Sequence, residues 1–387
     1  MKFSLSDHQE VIKENVAKLC SDFGDDYWLR HDESGKFPDR FFKEMAKAGW
    51  LGIAMPEEYG GSGLGVTEAA LLMHEVAYSG AMSAASAIHI NIFGPHAIVV
   101  HGTAEQKARW LPGLIRGDWI SCFGVTEPDV GLDTKRITTR AEKDGDTYLI
   151  SGRKIWTSTA QDASKILLIA RTSPIEDCVN PIDGLSLFYT DLDRDYCEVR
   201  EISKMGRKAV DSNTVFIDSL RVPEADRIGE EGKGFRYLLD SLNPERILIA
   251  AEGIGIGRSA LARAAKYAGE RTVFGRPIGQ NQAIQHPLAE SWCELEAAWL
   301  VTMQAAWLYD NGQDCGAQAN AAKYLAGEAG FRACERAVMS HGGMGYAKEF
   351  HVERLLREVL ICRIAPVTPH LILSHIAERV LDLPKSY

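Results

Sequence analysis

Apolar residues in the first 120 positions recur at intervals of three and four, which is the spacing of one helix face. Helices are predicted there at 6–20, 39–48, 66–78, 82–101 and 104–116. Short alternating or β-branched runs then predict strands at 147–150, 165–170, 185–189, 197–200 and 214–217. Longer, Ala-rich helices follow at 235–271, 282–311, 318–341, 351–361 and 369–381. An α+β chain of three domains is therefore predicted: an N-terminal helical domain (1–120), a middle β domain (121–229) and a C-terminal helical bundle (230–387).

One carboxylate in the long predicted helix 234–271 is a candidate catalytic group. Pro244 precedes it and should kink the helix at a cost of ~3 kcal/mol, because proline has no N–H to donate within the helix. The carboxylate is Glu245, and its neighbours at helical spacing are Leu242, Leu248 and Ile249. Desolvation in that setting should raise the pKa of Glu245, as a general base for a weakly acidic C–H requires. An exposed glutamate, or an ion pair with Arg246, is the alternative from this segment alone.

Composition narrows the class of protein. The 387 residues are 45% hydrophobic and 25% charged, which indicates a globular chain of two or three domains. A net charge of −10 and a pI near 5.6 argue against nucleic acid or an anionic membrane as the main partner. The apolar runs read as shorter than a membrane span and the N-terminus lacks the core of a signal peptide, so a cytoplasmic protein is expected. The eight cysteines and the histidines show no metal-site spacing, and no metal is predicted.

Two glycine clusters invite a nucleotide-binding interpretation. The run 253–257 (GIGIG) follows a helical pattern rather than a strand, so close packing between helices is predicted instead of a dinucleotide site. The run 341–345 (HGGMG) ends one helix and precedes another, where bare backbone can approach a pyrophosphate. Capping of the helix C-terminus is the alternative for the second run.

Five short motifs occur in order along nearly the whole chain. They read VTEPDVGLD at 125–133, GRKIWTS at 152–158, RTVFG at 271–275, NQAI at 281–284 and HGGMG at 341–345. The first resembles the T-E-P-x-x-G-S-D signature of the acyl-CoA dehydrogenases, and the others are similar to that family's G-x-K-x-W-I-T, R-x-x-F-G, x-Q-A-I and F-G-G-x-G motifs. The five together are specific, whereas each alone is weak. The resemblance implies the family's fold, with a middle β-barrel-like domain and a C-terminal four-helix bundle.

This resemblance implies FAD as the cofactor, extended between the β domain and the bundle, and a homotetramer whose neighbouring subunit holds the adenosine half. The residues that it places at the flavin are Phe123, Val125, Thr126, Gly131, Leu132, Trp156, Thr157, Ser158, Thr368 and His370. Those that it places at the pyrophosphate and adenosine are Arg271, Phe274 and Gln282, with Met339, Gly342 and Gly343 of the opposite subunit. Trp156 would cover the ring, and an ordinary core indole is its alternative. Ser158 keeps a hydroxyl where the family has threonine.

The implied reaction is α,β-dehydrogenation of an acyl-CoA thioester to the trans-2-enoyl-CoA. A base takes the α-proton, a hydride leaves the β-carbon for the flavin, and an electron-transfer flavoprotein collects the electrons. Most of the family carry the base in a Y-E-G-T turn, which reads Ala365-Pro366-Val367-Thr368 in this chain. A minority, resembling the isovaleryl- and long-chain acyl-CoA dehydrogenases, carry it on the long helix before an arginine, as Glu245 stands before Arg246. The resemblance therefore makes Glu245 the base, and places Leu132, Asn243, Arg246, Ala365, Pro366 and Val367 at the substrate.

Departures from the family pattern leave several questions open. Leu132 replaces the signature serine, and Ala365 replaces an aromatic residue, which suggests room for a branched, cyclic or bulky acyl group unless another side chain fills the gap. Pro366 has no N–H for the thioester carbonyl, so the amide of Val367 is expected to move in; the alternative is that a flavin ribityl hydroxyl and another partner hold this oxygen. His370 is an alternative base. An oxygen-using flavoenzyme on the same fold, a non-catalytic subunit of a heteromer and a flavin-containing nucleic-acid protein are the alternative functions.

Overall fold

The N-terminal region is helical, as predicted, in the computed structural model, which describes residues 4–386. Its helices are α1 (Asp7–Cys20), α2 (Asp25–Ser34), α3 (Asp39–Lys47), α4 (Val66–Phe93), α5 (His96–His101) and α6 (Ala104–Ile115). Ser6 and Thr103 cap α1 and α6, because each hydroxyl accepts from the backbone N–H three residues later. The apolar spacing does not predict α2, whose sequence is mostly charged and polar and which buries only Trp28 and Asp32.

Helix α4 is broken at Ala81, between the predicted helices 66–78 and 82–101. Ala81 has φ 57° and ψ −151°, outside the helical region, although the element continues on both sides. The backbone N–H of Ser83 finds a partner outside its own helix, the carboxylate of Glu358 at 2.8 Å. The second half ends at Phe93 instead of reaching residue 101, because Gly94 and Pro95 separate it from α5.

The middle region forms one eight-stranded sheet. Its strands are β1 (Ser121–Gly124), β2 (Arg140–Asp144), β3 (Thr147–Ser158), β4 (Lys165–Arg171), β5 (Leu185–Asp191), β6 (Cys197–Glu201), β7 (Ser212–Pro223) and β8 (Arg227–Ile228). Their order is β6-β7-β3-β2-β4-β5-β8, and β1 pairs in parallel with β4. The five predicted strands are present, and β1, β2 and β8 are additional. The backbone N–H of Ile155 donates to the carbonyl of Thr126, which brings the loop after β1 against β3.

Long helices return in the C-terminal region. The elements there are α7 (Gly234–Glu270), β9 (Thr272–Val273), β10 (Arg276–Pro277), α8 (Gln282–Asp310), α9 (Gly316–His341), α10 (Val352–Val359), α11 (Ile361–Ile364) and α12 (Pro369–Arg379). Helix α7 continues through Pro244 as a single element, so the predicted kink does not divide it. An irregular turn at residues 365–368 separates α11 from α12.

Helix α7 lies at the centre of the molecule and packs against α4, α8 and α9. The approach to α4 is closest at Gly255, where a Cβ would collide with the carbonyl oxygen of His74 and lie 3.1 Å from the backbone nitrogen of Tyr78. A Cβ at Gly257 would meet α8 at 2.7 Å. The glycine run 253–257 is therefore a helix-packing feature, as predicted. One hydrophobic core contains residues of α1–α4, α7 and α10, so the N-terminal and C-terminal helices share it.

Two stretches are long and apolar enough to cross a membrane by length and composition, which differs from the expectation that no run is. In residues 66–101 the apolar window is 78% buried inside the protein, so packing of the core accounts for its hydropathy. Residues 352–379 are interrupted by the turn at 365–368. Unpaired backbone groups in such a turn would be costly in lipid, which argues against that stretch as a span.

Candidate active site

Glu245 lies on the central helix α7, directly after Pro244. Its side chain is half-buried and forms no hydrogen bond or ion pair within residues 4–386. Desolvation raises the pKa of Glu245 to about 7, and the charge of Glu252 adds to the rise, whereas His89 and Arg246 oppose it. A carboxylate with a pKa near neutrality and no fixed partner can accept a proton from a bound molecule.

A buried histidine–glutamate pair adjoins Glu245. Glu252 follows Glu245 by seven residues, so the two side chains share one face of α7. His89 of α4 contacts Glu252 with 2.6 Å between Nδ1 and a carboxylate oxygen, and their side chains are only 8% and 0% exposed. Burial lowers the pKa of His89, but Glu252 raises it by more, and the net shift is upward. Nε2 of His89 and the second oxygen of Glu252 have no partner in the part of the chain that the structure describes.

The guanidinium of Arg246, which follows Glu245 on α7, has no carboxylate partner among the described residues. Its Nη1 donates to Oδ1 of Asn243 at 2.9 Å, and its Nε is buried without a partner among residues 4–386. Desolvation lowers the pKa of Arg246. The ion pair between Glu245 and Arg246 that the sequence left open is therefore absent from the described residues, and Asn243 and Arg246 lie together as the predicted substrate residues.

The turn at 365–368 carries an available backbone donor. The N–H of Val367 bonds to no described residue, whereas its carbonyl accepts from Nζ of Lys323 at 2.5 Å. The same Nζ lies 3.3 Å from the carbonyl of Arg363, so Lys323 ties both ends of this segment to α9. Burial lowers the pKa of Lys323 to about 8. The half-buried residues Ala365 and Pro366 form the rest of the turn, next to the free amide.

Thr368 and His370 stand at the beginning of α12. The hydroxyl of Thr368 accepts from the N–H of Leu371 and caps the helix, so this side chain has a structural partner as well as its predicted place at the flavin. His370 is exposed in the first turn of α12. An exposed side chain lacks the half-buried setting of Glu245, which favours Glu245 as the base.

The carboxylate of Glu127 anchors the loop that follows β1. Both oxygens accept bonds from the backbone and hydroxyls of Thr138 and Thr139, and Nζ of the buried Lys154 lies 3.0 Å away. Although burial acts in the other direction, the charge of Lys154 and these bonds hold the pKa of Glu127 down at about 2. Lys154 also donates to the carbonyl of Val125. The signature segment is thus a rigid support rather than a flexible loop.

That support orients the residues predicted at the flavin edge. Phe123 and Thr126 are half-buried and Val125 is buried, so this part of the segment offers mainly backbone and one hydroxyl. Gly131 and Leu132 lie in the exposed continuation, and Leu132 has φ 63° with 51% of its surface exposed. A bulky residue with positive φ is strained, and such strain clusters at ligand sites.

A bulge in β3 projects Trp156 outwards. The pairing of β3 with β7 shifts register between Lys154 and Thr157, and Trp156 there has φ 60° and 57% exposure. The alternative of an ordinary core indole for Trp156 is therefore wrong. The hydroxyl of Thr157 is buried without a partner among residues 4–386, and Ser158 accepts from Nη2 of Arg207 at 3.0 Å.

The residues predicted at pyrophosphate and adenosine all lie on the surface of the single chain. Arg271, Gln282, Gly342 and Gly343 are exposed, Phe274 is 100% exposed with φ 52°, and Met339 is 74% exposed. Gly342 has φ 61° and no atom near its Cβ position, which leaves bare backbone accessible. Apolar side chains this exposed fit a surface that a ligand or a second subunit covers. The donors and exposed rings on the chain therefore fit an elongated dinucleotide.

Sequence analysis missed four residues of this region: His89, Arg207, Glu252 and Lys323. None belongs to a motif, and each acquires its position through contacts more than 30 residues away in the chain. The only local signal was a polar side chain on an apolar helix face, as at His89 and Glu252. That signal is as common in structural histidines and glutamates, so it carries little weight alone.

Comparison with protein families identifies the class. Models of the acyl-CoA dehydrogenase N-terminal, middle and C-terminal domains match residues 6–118, 122–220 and 232–381 in turn. The chain therefore belongs to the acyl-CoA dehydrogenase family. It is an oxidoreductase of the acyl-CoA dehydrogenase type, and a flavoprotein with FAD as its cofactor.

Individual relatives agree over nearly the whole length. Acyl-CoA dehydrogenase FadE12 of Mycobacterium tuberculosis is 36% identical, over 100% of this chain and 99% of that protein. Benzylmalonyl-CoA dehydrogenase of Aromatoleum aromaticum is 35% identical, over 98% of this chain and 100% of that protein. Among solved structures, glutaryl-CoA dehydrogenase in complex with glutaryl-CoA superposes with a TM-score of 0.94 at 29% identity, covering 100% of this chain and 98% of that one. Butyryl-CoA dehydrogenase from Megasphaera elsdenii gives 0.91 at 29% identity, covering 98% and 100%.

Proposed function

We propose that the protein dehydrogenates an acyl-CoA thioester between its α- and β-carbons, with Glu245 as the base that removes the α-proton. The observation that carries the proposal is a half-buried carboxylate without a partner and with a pKa raised to about 7 by desolvation. At neutral pH a large share of Glu245 is ionised and ready to accept a proton, and partial desolvation makes the carboxylate a stronger base than one in water. When bound, FAD supplies the acceptor for the hydride that leaves the β-carbon.

The turn at 365–368 supports the second requirement, which is polarisation of the thioester carbonyl. An α-proton becomes acidic only when charge on that oxygen is stabilised, and one backbone donor is typically worth ~3 kcal/mol. Pro366 offers no N–H, whereas the adjacent N–H of Val367 is free within residues 4–386. Val367 would donate to the carbonyl oxygen, and Lys323 would hold the turn in place through the Val367 carbonyl.

Residues already described would hold FAD in this proposal. Thr126 and Ser158 would donate or accept at the flavin edge, and the exposed Trp156 would cover the ring. Arg271 would bind the pyrophosphate, since its fork of N–H donors matches phosphate oxygens. The backbone at Gly342 and Gly343 would come from a neighbouring subunit. Val125, Gly131, Leu132, Thr157, Phe274, Gln282, Met339, Thr368 and His370 keep the predicted roles given above.

The acyl group is a finer question than the reaction type. The relatives act, by their names, on acyl groups with and without a second carboxylate, namely glutaryl, benzylmalonyl and butyryl. Family membership therefore leaves the substrate open between these classes. We also propose an electron-transfer flavoprotein as the electron acceptor; slow reoxidation of the reduced protein in air would support this, and rapid reoxidation would favour an oxidase.

The test of the base is anaerobic bleaching of the bound flavin by a panel of acyl-CoAs. Glu245→Gln should retain FAD and bind the thioester but slow bleaching by about 10²- to 10⁴-fold, since the amide cannot accept the proton. Glu14→Gln, at an exposed position on α1, is the matched control and should react as the unaltered protein does. Adding Pro366→Glu to the Glu245→Gln variant would place a carboxylate in the turn and should restore part of the rate. Bleaching by Glu245→Gln at the normal rate would refute the assignment.

A further inference from the structure

A second arginine, Arg207, joins the middle sheet to the N-terminal helix α4. Its Nη2 donates to the hydroxyls of Ser158 in β3 and Ser212 in β7, both at 3.0 Å, and its Nη1 lies 3.4 Å from the hydroxyl of Ser86 in α4. The backbone of Arg207 has φ 56°, so this position is strained in the same way as Leu132 and Trp156. Two of the five N–H donors of the guanidinium have no partner among residues 4–386, and the side chain is only half-buried.

No carboxylate of the described residues neutralises Arg207 within 4.0 Å. The carboxylates whose charges reach it are Glu252, Asp211 and Glu358. Each of these already has another cation beside it: His89 contacts Glu252, Arg354 contacts Glu358, and the charge of Lys204 faces Asp211. Arg207 therefore has no carboxylate of its own in this cluster, although desolvation lowers its pKa. Free donors on a half-buried cation become costly when a bound molecule covers them, unless an oxygen of that molecule accepts their hydrogen bonds.

The packing of α4 against α7 places Arg207 further into the protein than Glu245. Glu252 contacts His89, whereas Arg258, later on α7, contacts His74, earlier on α4. The two helices are thus antiparallel, and Ser86 lies on the side of the His89–Glu252 pair away from Glu245. The charges of both Glu245 and Arg207 act on His89, which lies between them. Seven residues of α7 rise by about 10 Å. An extended acyl chain that reaches from Glu245 to the level of Glu252 would therefore be roughly eight bonds long, at about 1.2 Å for each bond.

We propose that Arg207 is a specificity residue, and that the substrate is an acyl-CoA whose acyl group ends in a carboxylate. This proposal rests on the proposed function, because only the reaction at Glu245 fixes where the acyl group begins. A terminal carboxylate would accept the free N–H donors of Arg207 and supply the missing negative charge. A plain alkyl end of the same length would exclude water from those donors without accepting their hydrogen bonds, and would therefore bind more weakly and react more slowly.

The test compares matched thioesters on the FAD-loaded protein. Hexanedioyl-, octanedioyl- and decanedioyl-CoA are set against hexanoyl-, octanoyl- and decanoyl-CoA, with kcat/KM measured by flavin bleaching and Kd by calorimetry. The best acid-ended thioester should exceed its alkyl counterpart by about 10- to 100-fold in both quantities. Arg207→Met should abolish that preference, lowering kcat/KM for the acid-ended thioester about 10- to 100-fold while the alkyl thioester changes little. Lys208→Met, at the exposed next position, is the control and should preserve the preference.

The outcomes separate the two proposals. Bleaching by alkyl thioesters as fast as by acid-ended ones, or a loss in Arg207→Met that is equal for both, would overturn the specificity role and leave the dehydrogenation standing. Equal losses would mean that Arg207 only positions Ser158 and its neighbours. If no thioester bleaches the flavin, the proposed function fails. Calorimetry with the same matched thioesters still decides whether Arg207 binds a terminal carboxylate. If Arg207→Met does not accumulate as folded protein, the preference of the unaltered protein alone decides.

Discussion

At the scale of single residues, the chemistry depends on which charged groups lack partners. The described residues contain many paired charges, such as Arg357 with Asp32 and Glu353, and these are structural. Glu245, Arg246 and Arg207 are the exceptions in the proposed site: Arg246 follows Glu245 on α7, and the charges of Glu245 and Arg207 both act on His89. Unpaired ionisable groups are expensive to bury, so their grouping indicates a site that is completed by a ligand.

The pKa of Glu245 gives a direct prediction for pH dependence. The base must be ionised to accept the α-proton, so kcat/KM for flavin bleaching should rise as pH increases through about 7 and level off above it. A carboxylate with an ordinary pKa would instead give a flat profile over that range. Stopped-flow bleaching between pH 5.5 and 9 measures the midpoint, and the residual rate of Glu245→Gln, which lacks the titrating group, should show no such step. A midpoint below pH 5 would contradict the raised pKa.

At the scale of elements, sequence pattern located the long helices and the buried strands well, because their apolar spacing is set by burial on one face or two. It failed for α2, where charged residues dominate, and for β1 and β2, which are short and whose burial is decided by neighbours elsewhere in the chain. The residues of the candidate site also fall into a predictable and an unpredictable group. Glu245 and the flavin segment could be predicted because motif and helix carry them, whereas Arg207 could not, since its serine partners lie 5, 49 and 121 residues away.

The turn between α11 and α12 should lose its geometry when its anchor on α9 is removed. Lys323→Met deletes the bonds to the carbonyls of Val367 and Arg363, so the Val367 amide should point less reliably at the thioester oxygen. We expect the bleaching rate to fall about 10- to 100-fold, part of the full cost of a lost oxyanion donor, and thioester affinity to change much less. Stopped-flow bleaching and calorimetry measure the two quantities separately.

Lys266→Met is the matched control, because Lys266 is exposed on α7 and should tolerate the change. A drop in melting temperature with an unchanged bleaching rate would show that Lys323 only stabilises the bundle and does not position the turn.

At the scale of the whole molecule, the single chain leaves apolar surface that a homotetramer would cover. Trp292, Leu300 and Trp307 are 59%, 53% and 54% exposed and lie on one side of α8. Patches of this kind mark interaction sites in soluble proteins. The exposed positions of Arg271 and Gly342 fit the same arrangement, since a cofactor held across a subunit boundary needs both chains.

Light scattering coupled to gel filtration should therefore give a homotetramer that carries FAD. Leu300→Glu should dissociate it and release FAD with it, because a charge within the apolar face opposes contact. Val11→Glu, at an equally exposed apolar position on α1 (51%), should change neither. A monomer that holds FAD tightly would show that the adenosine half is bound within one chain.

The close contact at Gly255 has a consequence for how this scaffold could be altered. The backbones of α4 and α7 approach closely there because Gly255 has no side chain, and the same two helices carry His89 and Glu252 near Glu245. The spacing of these two helices is therefore set in part by a glycine outside the set of residues proposed to meet a substrate. A larger residue at Gly255 would separate the helices and move His89 relative to Glu245, without altering any group that does chemistry. Substrate range in descendants or redesigned forms of this chain could thus shift through a position that binds nothing.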